Sequence, residues 1–191
     1  MADLLAEFRE DHVNMSRLID LLAAEADAFY AGKEPDWAIV ESILEYNLSY
    51  PDVFHHPKEE LVLEKLRLRD PDAARIIGKL EAEHESLAAE GRRFYAAVRS
   101  VMDDPTLPRG WFAGLANDYI DHMRRHMQLE EVIFFPIAKQ SLRAEDWADV
   151  EARLKRSLDP LWDSGVEERF ARLRERILDT QPPKGAAPAA E

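Results

Sequence analysis

The chain contains no cysteine, which excludes disulfides, thiolate ligands, iron–sulfur clusters and a cysteine nucleophile together. It also lacks a basic excess. Lys and Arg number 25 against 38 Asp and Glu, a formal net charge of −13 over 191 residues, which disfavours nonspecific binding to the phosphates of nucleic acids or anionic membranes. No uncharged apolar run approaches the roughly 18 residues of a membrane span. Glycine is scarce, at 7 residues, and apolar alternation of the strand type is nowhere sustained. A Ser/His/Asp order, a P-loop and a glycine-rich dinucleotide turn are all missing, so hydrolase and kinase readings have no support. The opening stretch MADLLAEFREDH carries acids at positions 3, 7, 10 and 11. It has no basic segment followed by an apolar run, so no signal peptide is expected and a cytoplasmic location is the default.

What is present is a composition of 46% hydrophobic and 33% charged residues, the balance of one soluble globular domain with a genuine core. Apolar residues recur at spacings of 3 and 4, so the expected fold is all-α. The first helix runs from about Asp3 to Tyr30 and stops at Gly32, which can take a left-handed cap conformation. Asp36 caps a second helix from Trp37 to about Leu68, with kinks expected at Pro51 and Pro57. Asp70-Pro71 opens a third helix that lasts to about Met102. Asp103 to Pro108 breaks it, and a fourth helix follows from Arg109 to Ser141. Four helices of ~30 residues, each ~45 Å long, with short connections imply an up-down-up-down four-helix bundle over residues 1–142. A helical extension over 143–180 is expected to pack on the bundle or on a partner. Its parts are a helix from about Glu145 and another opened by the capping-box spacing Ser164-Gly165-Val166-Glu167. The tail, 181–191, is too poor in large apolar residues to fold.

All six histidines, His12, His55, His56, His84, His122 and His126, fall in the four long helices. His55-x-x-x-Glu59 and His126-x-x-x-Glu130 each place an imidazole and a carboxylate on one helix face. Leu48, Pro51, Val62, Leu63 and Leu66 share the face of His55, so that face points inward. The face of His56 carries Ser49, Asp52, Glu64 and Arg67, which belong in water. His126 and Glu130 lie on a stripe with Leu115, Tyr119, Ile133, Phe134 and Ile137. His12 and His84 sit on the apolar stripes of the first and third helices. Each helix thus brings one imidazole to the core. Burying several imidazoles and two carboxylates uncompensated costs several kcal/mol, and no lysine or arginine on these stripes neutralises the acids. A bound cation would. Nitrogen and oxygen donors suit iron, manganese, zinc or copper alike. Four His and two Glu exceed the needs of one tetrahedral ion, whereas two ions sharing the carboxylates would leave open positions for a further ligand.

Four signatures carry a family likeness: Glu10-Asp11-His12, His55-His56-Pro57-Lys58-Glu59-Glu60, Ala82-Glu83-His84-Glu85, and the run from His126 to Pro136. With them residues 1 to about 142 resemble the hemerythrin-like, or HHE cation-binding, family, a four-helix bundle around a non-haem di-iron centre. The resemblance implies two iron ions ligated by His12, His55, His84 and His126, with Glu59 and Glu130 as bridges. It also implies a reaction with oxygen, peroxide, nitric oxide or iron itself. The invertebrate oxygen carriers have a second histidine four residues after the first on the third helix; here that position is Ala88, so one ligand is missing. His122 either replaces it or is an outer hydrogen-bonding residue, the plainer reading. His56 is expected as an outer or surface residue rather than a ligand. Glu131 holds the five-residue spacing of the carriers' last acid, but Glu130 is favoured by symmetry with Glu59. Tyr119 either approaches the metals or, more plainly, packs the core. The set of four His and two Glu is closer to the iron–sulfur-cluster repair proteins, yet those carry a cysteine-bearing segment that has no counterpart here.

Three functions follow as expectations. The first is binding or sensing of oxygen or nitric oxide in a dry pocket. The second is an enzyme acting on peroxide or nitric oxide. The third is iron storage or donation, with self-association or a protein partner engaging the C-terminal helices.

Overall fold

A computed structural model describes residues 4–154, 159–162 and 167–180, and among them it contains helices and no strand. The first rod is α1, Leu4–Tyr30, ended by Gly32 at φ 84°, a left-handed conformation that costs glycine nothing. The second rod is built of three pieces: α2 (Trp37–Asn47), a π-helical turn (Pro51–His55) and α3 (His56–Arg69). Asp36 caps α2 by accepting from the Ile39 N–H. The third rod departs from the single helix expected between Pro71 and Met102. It is split into α4 (Pro71–Ile77) and α5 (Leu80–Asp103), because Gly78 takes φ 80° and so breaks the helical ladder. The fourth rod is α6 (Arg109–Leu129), a second π-helical turn (Glu130–Phe134) and α7 (Phe135–Ser141).

Both π turns end two residues before a proline, Pro57 or Pro136. Proline has no N–H to give and its ring collides with the carbonyl one turn back. The ladder widens instead: His56 N–H reaches Pro51 O, and Phe135 N–H reaches Glu130 O. A π turn holds an extra residue per turn and so advances the helical face. Adjacent residues then both face the core, as His55 and His56 do in one rod and Phe134 and Phe135 in the other.

Cross-rod pairs show each rod running against the one before it. His12 meets His55 while Phe29 meets Trp37. Glu41 meets Arg99 while Glu60 meets His84. His84 meets His126 while Phe94 meets Phe112. The bundle closes where Arg9 binds Glu131 and Asp20 binds Arg124. Two apolar clusters fill it. One, from Met15 to Phe29 on α1, includes Ile43, Phe94 and Phe112; the other contains Leu5, Phe8, Leu63, Leu66, Phe134 and Phe135. Between them lies a polar waist.

Beyond the bundle, α8 (Ala144–Arg153) packs on α3, with Val150 buried in the second cluster. Asp146 caps α8 at the Arg143 N–H and holds Arg69 at 2.8 and 2.9 Å. A 3₁₀ turn (Glu168–Phe170) leads into α9 (Ala171–Thr180) on α2, where Phe170, Leu173 and Ile177 join the first cluster. Tyr46 donates to Asp159 at 2.6 Å, tying the extension to α2. The first three residues of the expected capping box, Ser164 to Val166, and the tail 181–191 lie outside the described residues.

Candidate metal centre

The waist contains five histidines and two glutamates, none more than 5% exposed: His12, His55, His56, His84, His126, Glu59 and Glu130. Each of the four rods supplies at least one. Their ligand atoms form two groups within which all lie within 4.8 Å of one another. One is His56, Glu59, His84 and His126, and the other is His12, His55 and Glu59.

The carboxylates span the two groups. Glu59 Oε1 lies 3.4 Å from His55 Nε2, while its Oε2 lies 3.5 Å from His84 Nε2. Glu130 Oε2 lies 3.3 Å from His12 Nε2, and its Oε1 lies 3.4 and 3.1 Å from Nε2 of His84 and His126. His12 and His55 bring their Nε2 atoms to 3.3 Å of each other. His56 stacks on His84 with ring centroids 4.1 Å apart and planes 10° apart.

The outward nitrogens are held as well. Nδ1 of His55 lies 2.8 Å from Asp11, that of His12 3.0 Å from Glu131, and those of His56 and His84 each 3.3 Å from Asp52 and Glu60. A carboxylate only accepts, so the Nδ1 of His12, His55 and His84 each carries the proton it donates, which leaves Nε2 as the nitrogen turned to the waist that a cation would take. Phe8 meets His55 edge-on and stacks on Phe135, which in turn stacks on His12. These rings keep water from the His12 and His55 side.

The electrostatics are severe. Burial works against charge on His55 and His84, yet Glu59 and Asp11 around the first, and Glu130 and Glu59 around the second, push each up to about 10. Burial also disfavours charge on Glu130, but His12, His126 and His84 hold it well below the carboxylate range. His56 is driven well below its ordinary value by burial and then by repulsion from its neighbouring imidazoles. Among the described residues no lysine or arginine is buried. Both Glu59 oxygens, Glu130 Oε2 and both His126 ring nitrogens are buried without a hydrogen-bond partner. Their contacts are too long or too oblique. Such a set of donors, aimed inward and unsatisfied, fits bound cations and fits little else.

The structure gathers His12, His55, Glu59, His84, His126 and Glu130 as the helical spacing implies. It corrects the placement of His56. That residue is 5% exposed and stands in the first group, because the Pro51–His55 π turn swings its face from water to the waist. His122 lies outside the waist, 2.8 Å from Glu90 and 2.9 Å from Glu83, and is an outer hydrogen-bonding residue. Glu131 is an outer partner too, one oxygen on His12 and the other 3.1 Å from Arg9. Tyr119 is buried against Phe94 in the first apolar cluster, in neither donor group. The stripe expected around His126 also shifts: past the second π turn Phe135 and Ala138 are buried, while Ile133 and Ile137 are only half-buried. Sequence reasoning missed Asp11, Asp52 and Glu60 as anchors of the imidazoles. Its available signal was the pair of large residues directly before a proline, His55-His56-Pro57 and Phe134-Phe135-Pro136.

Fold and site together define an all-helical bundle with a buried His/Glu cluster suited to cations. The chain belongs to the hemerythrin family: the hemerythrin HHE cation binding domain matches residues 3–138. Neither a curated protein nor a solved structure was found to match it.

Proposed function

We propose that the waist holds two iron ions and that the protein binds or senses a small diatomic molecule, oxygen or nitric oxide. One observation carries this reading: the two donor groups are unequal. Three imidazoles surround one and two the other, while both carboxylates reach across to each. Sharing the glutamates therefore leaves the His12 and His55 side one donor short. That side is walled by Phe8 and Phe135, neither of them exposed. A small uncharged molecule fits such a place, and a large polar substrate does not. When bound, the metal pair supplies the electrons and the open position. The chain's own part is to aim five Nε2 atoms, to share two carboxylates and to exclude water.

The test is elemental analysis with anaerobic optical spectroscopy. Two irons per chain are expected, with an absorption band that grows on adding either gas and fades on removing it. A ferrous, fully loaded protein with no spectral response to either gas would refute the reading. Redox turnover of peroxide or nitric oxide at the same centre is a second reading, favoured by the carboxylates that surround the imidazoles. It predicts consumption of substrate that is lost when Glu59 and Glu130 are both replaced. Iron storage or donation predicts instead rapid loss of iron to a mild chelator.

A further inference from the structure

Four of the five waist imidazoles have a carboxylate on the outward nitrogen, and the four come from separate places: Asp11 on α1, Asp52 in the first π turn, Glu60 on α3 and Glu131 in the second. The exception is His126, whose Nδ1 is buried without a hydrogen-bond partner. Only part of this outer charge is offset. Arg9 pairs with Glu131, while Arg92 and Arg67 lie within electrostatic reach of Asp52 and Glu60 respectively. The side chain of Asp11 is only 15% exposed, and it accepts a hydrogen bond from His55.

We infer that Asp11, Asp52, Glu60 and Glu131 are positioning residues that hold the centre's metals in their higher oxidation state. The inference rests on the di-iron reading. A carboxylate accepting from Nδ1–H draws that proton outward and makes Nε2 a stronger electron donor. It also adds a negative charge close to a site where the low dielectric leaves it poorly screened. A trivalent ion gains more from both effects than a divalent one. With the two inner glutamates, six carboxylates surround the waist, and among the described residues no buried lysine or arginine opposes them. The ferrous pair is then the more ready electron donor.

The experiment is a spectroelectrochemical titration of the iron-loaded, full-length protein. It compares native chain with Asp11→Asn, Glu60→Gln and the double variant, alongside chelator competition for ferrous and for ferric iron. The amides keep shape and an acceptor oxygen but lose the charge. Each is expected to raise the midpoint potential, the double variant further, and to lose roughly 10–100-fold in metal affinity. The loss should be larger for ferric than for ferrous iron, since the ratio of the two losses must match the shift in potential. Asp11→Glu, which keeps the charge, should restore a potential near the native one. Glu64→Gln, on α3 but paired with Arg153 away from the waist, should not move it. Unchanged potentials in the amide variants, or equal loss of both oxidation states, would overturn the inference and leave the di-iron reading standing. Failure of the native chain to take up iron would instead remove the reading on which the inference rests.

Discussion

Chelation should destabilise this protein by an amount that the waist itself sets. With its metals removed, the fold buries Glu59 Oε1 and Oε2, Glu130 Oε2 and both His126 nitrogens unpartnered. Leaving a buried polar atom unsatisfied costs about 1–3 kcal/mol. Even at the lower figure these atoms together cost ~5 kcal/mol, comparable with the low end of the ~5–15 kcal/mol that stabilises a typical domain. Cations in the waist satisfy all of them but His126 Nδ1, which faces outward. Ligand held at a free concentration of 1,000 times its dissociation constant adds about 4 kcal/mol. At roughly 2–4 °C per kcal/mol for a chain of this size, the loaded protein should melt ~8–16 °C above the metal-free one. The assay is thermal unfolding followed by circular dichroism, with elemental analysis of both samples. A variant that replaces both Glu59 and Glu130 by Leu removes the buried acids along with the metal requirement. Its melting temperature should exceed that of the metal-free native chain and ignore added iron. If stripped native protein melts where loaded protein does, or if the double leucine variant is the less stable of the two metal-free forms, the account of the waist fails.

Further outcomes follow from the same geometry. His56→Ala should reduce retained metal, selectively weakening the group formed with His84 and His126. His122→Ala should leave metal content unchanged, and elemental analysis distinguishes the two. Burial works against charge on His122, but Glu83 and Glu90 outweigh it and raise its pKa above the ordinary 6.5. Its ion pairs therefore stabilise fully below pH 6.5 and are lost as pH rises through the raised value. An NMR titration should place its midpoint above that of a free histidine and show Glu90→Gln lowering it. Tyr46→Phe removes the hydroxyl that donates to Asp159, which keeps the N–H groups of Leu161 and Trp162. A loss of about 1–3 kcal/mol is expected, with protease cleavage in the C-terminal extension faster than in the native chain.

Periodicity and spacing were enough to read four rods, their caps at Asp36 and Asp70, and six of the seven waist residues. A helix that repeats every 3.6 residues ties i and i+4 to one face whatever it packs against. That rule held for His55 with Glu59 and for His126 with Glu130. It failed for His56, where the consequence of proline was not a kink alone but a change of ladder from i−4 to i−5. A face count that assumes an unbroken α-helix puts His56 in water, while the π turn puts it beside His84. The break at Gly78 was hidden for a similar reason, since glycine tolerates both signs of φ and only the folded chain selects one. The anchors on the outward nitrogens were out of reach entirely. Asp11 with His55, Glu131 with His12 and Glu60 with His84 join residues 44, 119 and 24 positions apart. Local chemistry marks which residues can serve as donors. Which carboxylate meets which imidazole is decided only when antiparallel rods set their register against one another.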